Sequence, residues 1–119
     1  MSTRFALTTT SGITVDGHFS KAESFNIYEL DRKQTVFVER RICRCPGGHT
    51  CESIEEKKRL LSDCCAVFVS RIGKPVAEQL IAEGIRVFEA PLPIDTILWQ
   101  IEAGNLRLNN KKERITNDA

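Results

Sequence analysis

The sequence lacks the features that place a protein in a membrane or on a nucleic acid. No apolar run approaches the roughly 20 residues that a membrane-spanning helix needs. Lys and Arg number 17 and Asp and Glu 16, so the formal net charge is +1 and neither a nucleic acid nor an acidic membrane is indicated as partner. The N-terminus has no apolar h-region or cleavage site. We therefore expect a cytoplasmic protein.

The motifs of the common catalytic classes are also absent. The sequence has neither a Gly-x-Ser-x-Gly nucleophile elbow nor a glycine-rich phosphate loop, and no thiol is clearly paired with a histidine. A two-metal nuclease needs clustered carboxylates, but Asp16 stands nearly alone after the first predicted strand. The other candidates fall in or beside predicted helices: Asp63, Glu78 and Asp95. We expect a binding protein rather than an enzyme.

The composition is that of one ordinary globular domain. Hydrophobic residues make up 41% and charged residues 28% of the 119 residues, enough for a packed core. We predict a single domain over residues 1–105 and a flexible polar tail over residues 106–119. Apolar periodicity predicts the order β-β-β-α-β-α-β-α. The five strands are predicted at residues 4–9, 25–30, 35–43, 64–69 and 85–89.

This order predicts a mixed α/β sheet. The short turn between the second and third strands allows only an antiparallel hairpin, whereas helical crossovers make the first, fourth and fifth strands parallel. The simplest strand order is 3-2-1-4-5, with the second strand antiparallel and helices on both faces. The third strand lies at an edge, and because edges invite pairing, both a monomer and a homodimer stay open.

One histidine loop falls at the predicted switch point of this sheet. Ligands of open α/β sheets bind beyond the carboxyl ends of the strands where the chain changes direction, here between the first and fourth strands. The segments that leave those ends are Asp16-Gly17-His18-Phe19-Ser20 and Ser70-Arg71-Ile72-Gly73-Lys74. Asp-Gly is a turn signal because glycine tolerates positive φ. We predict that His18 is held there as a ligand or proton carrier.

A second set of possible metal ligands lies within nine residues: Cys43, Cys45, His49 and Cys51. The spacing C-x-C-x3-H-x-C can close a tetrahedral site, although the commoner zinc knuckle uses C-x2-C. A solvent loop with incidental thiols is the alternative, and the pattern does not decide between them. In a reducing compartment we do not expect disulfides. The two remaining cysteines open a predicted buried strand and are expected to be core residues: Cys64 and Cys65.

Sulfur and imidazole ligands suit zinc, copper(I) or iron–sulfur species. A negatively charged cluster is stabilised by nearby cations or backbone donors. Arg71 and Lys74, which follow the fourth predicted strand, are placed to supply positive charge. The alternative for both residues is ordinary surface charge.

Several ordered motifs between residues 4 and 101 carry a family resemblance. They are Asp16-Gly17-His18-Phe19-Ser20, Phe25-Asn26-Ile27-Tyr28-Glu29, Leu61-Ser62-Asp63-Cys64-Cys65-Ala66-Val67, Ile72-Gly73 and Leu80-Ile81-Ala82-Glu83-Gly84-Ile85. With them the chain resembles the nitrogenase iron–molybdenum cofactor biosynthesis family. That family includes cluster carriers of the NifX and NafY type and the C-terminal domain of the NifB cofactor synthase.

The resemblance implies a ribonuclease-H-like α/β/α domain that binds an iron–sulfur cofactor, or its precursor, as cargo. Donor and acceptor proteins of nitrogenase cofactor assembly are the implied partners. The histidine that ligates the cluster in the family corresponds to His18. Ser20 stands where the family's loop has glycine, so a positive φ at that position would strain the serine.

Two functional hypotheses follow. In the first, the chain is a non-catalytic carrier of a nitrogenase-type iron–sulfur cluster. His18 binds iron or the heterometal there, Asp16, Gly17, Phe19, Ser20 and Gly73 complete the site, Arg71 and Lys74 offset negative charge, and the segment from Cys43 to Cys51 adds a thiolate. In the second, that cysteine segment binds zinc in a small structural or regulatory module.

Overall fold

The computed structural model describes residues 3–43 and 54–104 of the chain. These residues form five strands and three α-helices in the predicted order. The elements are β1 (Thr3–Thr8), β2 (Ser24–Asp31), β3 (Gln34–Ile42), α1 (Ile54–Leu60), β4 (Ala66–Val69), α2 (Lys74–Ala82), β5 (Arg86–Glu89) and α3 (Ile94–Glu102). A 3₁₀ turn, Phe19–Lys21, precedes β2. The predicted tail, residues 106–119, lies outside the described residues.

The predicted sheet is confirmed. Its strand order is β3-β2-β1-β4-β5. The central strand β1 pairs antiparallel with β2, where Ala6 faces Ile27, and parallel with β4, where Ala6 faces Val67. The carboxyl ends of β1 and β4 therefore lie side by side, because parallel neighbours end at the same edge of a sheet.

Alternating side chains of the central strands divide the core into two layers, as the twofold period of a strand requires. Ala6 and Val67 pack in one layer with Leu61, which follows α1, and Leu80 of α2. Their neighbours on the other face are packed against α3: Phe5, Leu7, Ala66 and Phe68 contact the cluster of Ile94, Ile97 and Ile101. Helices thus cover both faces of the sheet, as predicted.

The helix signals of the sequence also hold. α2 begins with a proline in its first turn, as the Gly73-Lys74-Pro75 pattern indicates. Gly84, two residues beyond the last helical residue Ala82, stops the helix with a φ of +89°, the left-handed conformation that glycine adopts without strain. None of the helices in the described part of the chain combines the length and hydropathy needed to cross a bilayer.

The hairpin between β2 and β3 uses an unfavourable pair of turn residues. Arg32 and Lys33 have φ values of +54° and +68°, as a two-residue type I′ turn requires, although neither is glycine or asparagine. β3 forms one edge of the sheet, as predicted, and exposes Val36 and Phe37. A bulge between the Ile27 and Tyr28 registers interrupts that edge.

With Ile54 and Leu61 on the apolar face of the first predicted helix, the sequence predicts that Lys57 lies mostly in solvent, and this prediction is wrong. Its side chain is 0% exposed, beneath the turn that contains Phe19. Lys57 follows Ile54 by three residues and precedes Leu61 by four, so it lies on the apolar face of α1. The charge is tolerated in the core because backbone carbonyls accept its hydrogen bonds.

Candidate functional site

The His18 loop, defined as Asp16–Ser20, is fastened by its backbone to the ends of β1 and β4. Asp16 N donates to the Thr8 carbonyl of β1 at 3.3 Å, and Ser70 N, just after β4, donates to the Gly17 carbonyl at 3.1 Å. Phe19 N then donates to the Arg71 carbonyl at 2.9 Å. His18 and Arg71 form an isolated parallel bridge. The structure thus brings together the two segments that the topology predicted to meet.

Gly17 does not adopt a positive φ. The positive-φ glycines of the described residues are elsewhere, so the turn interpretation of Asp16-Gly17 was wrong in this respect. A Cβ at Gly17 would lie 3.4 Å from the Cβ of Thr8. The Thr8 hydroxyl donates to the Gly17 carbonyl at 3.1 Å. The Cβ contact is an ordinary van der Waals one, so the Thr8 hydrogen bond, and not the lack of a side chain at Gly17, holds the loop against the end of β1.

Ser20 is not strained. It lies in the 3₁₀ turn Phe19–Lys21, and among the described residues only Arg32 and Lys33 are non-glycine residues with positive φ. The difference from the family's glycine at this position therefore has no conformational cost.

The buried Lys57 side chain holds the His18 loop by hydrogen bonds to its backbone carbonyls. Its Nζ donates to the Phe19 carbonyl at 2.9 Å and to the Ser20 carbonyl at 2.7 Å, and lies 5.5 Å from the centroid of the Phe19 ring. Phe19 itself is 0% exposed and packs beside Phe25, with ring centroids 5.8 Å apart. A buried ammonium and a buried ring therefore fix the backbone on the C-terminal side of His18.

The His18 imidazole, in contrast, is exposed. Its backbone carbonyl accepts a hydrogen bond from Lys21 N at 3.1 Å, but within the described part of the chain no protein group bonds to the imidazole. A fixed backbone thus presents an uncommitted ring. Both ring nitrogens are available to a metal centre or a hydrogen-bonding ligand.

A cavity of about 530 Å³ lies beside the imidazole. The end of β1, the His18 loop, the start of β2 and one side chain of β3 form its wall. The lining residues are Thr8, Thr9, Thr10, Asp16, Gly17, His18, Lys21, Ala22, Glu23, Ser24 and Arg40. Its size is in the range of small-molecule sites.

Asp16 has a structural partner in this wall. Its Oδ1 accepts from Thr10 N at 2.8 Å, and the Thr10 hydroxyl lies 3.2 Å from both carboxylate oxygens. Partial burial raises the pKa of Asp16, but hydrogen bonds from Thr10 and Ser11 outweigh it and bring the pKa below its usual value. The carboxylate therefore stays ionised and braces the loop between β1 and His18.

The predicted site residues after β4 occupy different positions relative to the His18 loop. The Arg71 backbone contacts the His18 loop, and Gly73 is the N-cap residue of α2, with Lys74 as the first helical residue. None of these three residues contributes to the cavity lining. Their predicted contact with a ligand stays a prediction.

The second predicted ligand set falls largely outside the described residues. Cys45, His49 and Cys51 lie there, and only Cys43 is described. Cys43 is 7% exposed and disulfide-bonded, so the expectation of free thiols does not hold for it. A sulfur in a disulfide has no thiolate to offer a metal.

Cys64 and Cys65 are free thiols at the opposite end of β4. Burial, with the nearby Asp63 charge, raises the pKa of Cys64 to about 12. Burial also raises the pKa of Cys65 to about 11. These values fit the predicted role as core residues, because a protonated buried thiol is a poor nucleophile and ligand.

Among residues 3–43 and 54–104, no three His, Cys, Asp or Glu side chains are grouped as a metal site. His18 therefore offers one soft ligand, which is too few to enclose a single metal ion. One imidazole suffices only for a ligand that brings most of its own coordination sphere.

Sequence reasoning missed three side chains of this site: Lys21, Arg40 and Lys57. The helical spacing of Lys57 with Ile54 and Leu61 was a usable signal. Arg40 gave none, because its place in the wall depends on the pairing of β3 with β2.

The candidate site is therefore an exposed histidine beside a cavity at the switch point of a mixed α/β domain. The family model described as "Dinitrogenase iron-molybdenum cofactor" matches residues 1–104, and the chain belongs to that family. Protein NifY of Klebsiella pneumoniae is 36% identical over 98 residues, which cover 82% of this chain and 42% of that protein. FeMo cofactor biosynthesis protein NifB of the same organism is 34% identical over 113 residues, which cover 84% and 24%. The chain thus spans less than half the length of either relative.

Solved structures share the fold. PH0822 superposes with a TM-score of 0.67 at 18% identity, covering 91% of this chain and 97% of that one. The crystal structure of mj0327 from Methanocaldococcus jannaschii superposes with a TM-score of 0.63 at 13% identity, covering 99% of both chains. At such identities the likeness concerns architecture alone.

Proposed function

We propose that this protein is a non-catalytic carrier of an iron–sulfur cofactor of the nitrogenase type, or of its precursor. The cluster is cargo, bound through the His18 imidazole and passed from a donor to an acceptor protein of cofactor assembly. The observation that carries the proposal is an exposed, uncommitted imidazole on a fixed loop beside a cavity of about 530 Å³. Membership of the dinitrogenase iron-molybdenum cofactor family supplies the ligand class.

The chemistry of the loop supports a carrier rather than a resident metal site. A single imidazole leaves the cluster with one protein bond from the described residues, so the cargo can be released by exchange of one ligand. The rigid backbone reduces the entropy lost on binding, because Lys57 and Phe19 already hold the loop in place.

Four finer assignments accompany this proposal. We assign the domain to the ribonuclease-H-like class, on the strand order and the helices on both faces. We also infer one domain over residues 1–105 with a polar tail beyond it, acting in the cytoplasm. The exposed edge strand β3 is compatible with either a monomer or a homodimer.

The test is anaerobic loading of the purified protein with iron–molybdenum cofactor isolated from dinitrogenase. Iron and molybdenum that stay with the protein through gel filtration are measured for wild type and for His18→Ala. His49→Ala, which removes the other of the two histidines, is the matched control. We expect retention by wild type and by His49→Ala and its loss in His18→Ala. Equal retention by wild type and His18→Ala contradicts the proposal.

A further inference from the structure

The cavity beside His18 contains two cationic side chains that the sequence pattern did not assign to it. Lys21 ends the 3₁₀ turn that follows His18, and Arg40 belongs to β3. Both line the cavity together with His18. The cations that were expected to serve this site, Arg71 and Lys74, do not line it.

Arg40 is oriented by a residue of the adjacent strand β2. Its Nε donates to the Ser24 hydroxyl at 3.1 Å, and Ser24 is only 8% exposed. Within the described part of the chain no carboxylate pairs with Arg40. The bond through Nε fixes the guanidinium plane, while the two terminal nitrogens keep their N–H groups for an acceptor in the cavity.

The remaining polar groups of the wall are less suited to contact an anion. The Thr8 hydroxyl donates to the Gly17 carbonyl, and Asp16 is engaged by Thr10. Glu23, the other carboxylate of the lining, is exposed and can only accept hydrogen bonds. Arg40 is therefore the charged hydrogen-bond donor best placed toward the cavity, and Lys21 adds positive charge to the lining.

We propose that Arg40, assisted by Lys21, is the anion-contacting part of the His18 site. The bound ligand is accordingly anionic and presents sulfide or oxygen acceptors to the guanidinium while His18 ligates a metal. This inference rests on the proposed function and names the residues that balance the charge of the cargo. Hydrogen bonds from a fixed guanidinium to acceptor atoms are among the stronger ones in proteins, and cluster sulfurs accept them.

The test compares two matched pairs of charge-neutralising variants: Lys21→Gln with Arg40→Gln, and Arg71→Gln with Lys74→Gln. Both pairs remove two positive charges near His18, so a general effect of net charge affects them equally. Anaerobic titration with isolated iron–molybdenum cofactor measures the affinity of each. We expect about a tenfold or greater loss for the Lys21 and Arg40 pair and about twofold or less for the other pair.

A second probe separates this inference from the assignment of His18. Tetrathiomolybdate is a sulfide-rich dianion whose binding does not require an imidazole ligand. We expect Arg40→Gln to weaken its binding about tenfold and His18→Ala to weaken it much less. If His18→Ala keeps the cofactor but Arg40→Gln loses both probes, the proposed ligation fails and the anion contact stands. If Arg40→Gln binds both probes like wild type, the anion contact is overturned and the carrier proposal is unaffected.

Arg40→Lys distinguishes a contact from a structural role. It keeps the charge but not the fork of donors, so we expect partial recovery of affinity over Arg40→Gln at an unchanged urea midpoint. A parallel loss of affinity and urea midpoint in both variants would assign Arg40 to the fold. In that case Lys21→Gln, which changes a residue of the 3₁₀ turn rather than of β3, is titrated with both probes. Unchanged affinity for both would overturn the proposal.

Discussion

The two ends of β4 differ in whether their chemically active side chains are engaged by the fold or exposed to a ligand. At its amino end, Cys64 is buried and Cys65 half-buried, both with raised pKa values, and Asp63 is bonded by Arg4 and Arg41 at 3.0 and 2.6 Å. At its carboxyl end, the backbone of the His18 loop is fastened just as firmly, but the imidazole projects without a protein partner among the described residues. Reactive residue types are thus committed to the fold at one end and left available at the other.

The two ends differ in whether the side chain is available to a ligand, and residue type alone does not reveal this difference. Two adjacent cysteines are a more conspicuous sequence feature than one loop histidine. Their surroundings keep them protonated, whereas Lys57 and Phe19 hold the histidine loop without engaging the ring.

The largest expected effect concerns thiol reactivity at the amino end. A pKa of about 12 for Cys64, against the ordinary 9.0, lowers the thiolate fraction about a thousandfold at neutral pH. Iodoacetamide labelling of the reduced, native protein, followed by peptide mass spectrometry, should therefore leave Cys64 and Cys65 almost unmodified. The guanidinium-unfolded protein is the control. Equal labelling of native and unfolded samples would place reactive thiols at both ends of β4.

Removal of the Lys57 ammonium should destabilise the His18 loop at the carboxyl end of β4. Lys57→Met leaves the buried Phe19 carbonyl without its charged donor, and we expect the free energy of unfolding to fall by about 2 kcal/mol. Urea unfolding measures it. Lys58→Met is the matched control: among the described residues Lys58 pairs with the exposed carboxylates of Glu55 and Glu83, so its loss should cost about 0.5 kcal/mol. Equal costs would mean that Lys57 does not hold the loop.

Part of the free energy of unfolding should depend on the ionised Asp63 at the amino end of β4, and should therefore be lost in acid. Hydrogen bonding by Arg41, and then by Arg4, holds the pKa of Asp63 below its ordinary 3.8. Its ionised form therefore stabilises the fold above that value, and the contribution is lost as the pH falls below it. Because Asp63 is 43% exposed, we expect Asp63→Asn to cost only about 1 kcal/mol at neutral pH.

Urea titrations across the acid range check this sign. The difference in stability between wild type and Asp63→Asn should shrink as the pH falls from about 5 to about 2. A difference that stays constant over this range would show that the Asp63 charge does not contribute.

A change far from both ends separates stability from binding. Lys33 adopts a φ of +68°, which costs an L-residue about 1–2 kcal/mol, partly offset by the chain entropy that glycine loses on folding. Lys33→Gly should therefore raise the free energy of unfolding by about 0.5 kcal/mol, measured with urea. Cofactor retention should not change. A change in retention would link the hairpin to the site.

The sequence predicts the sheet order, the helices and the meeting of the His18 and Arg71 segments, because strand periodicity and crossover rules determine them. It does not predict which cations face the cavity, because Arg40 reaches it through the register of β3 on β2. Nor did it place Lys57 in the core, since lysine is almost never buried without partners, and its partners are backbone carbonyls that no side-chain pattern reveals.

The central claim is that His18 bonds directly to the cargo, and pulsed electron paramagnetic resonance tests it. Protein labelled with ¹⁵N-histidine is loaded with isolated iron–molybdenum cofactor, and hyperfine coupling between the cluster spin and an imidazole nitrogen is recorded. Because the chain has two histidines, His49→Gln leaves His18 as the sole labelled residue. We predict ¹⁵N coupling in wild type and in His49→Gln and none in His18→Ala. Bound cofactor without ¹⁵N coupling in His49→Gln would contradict the account.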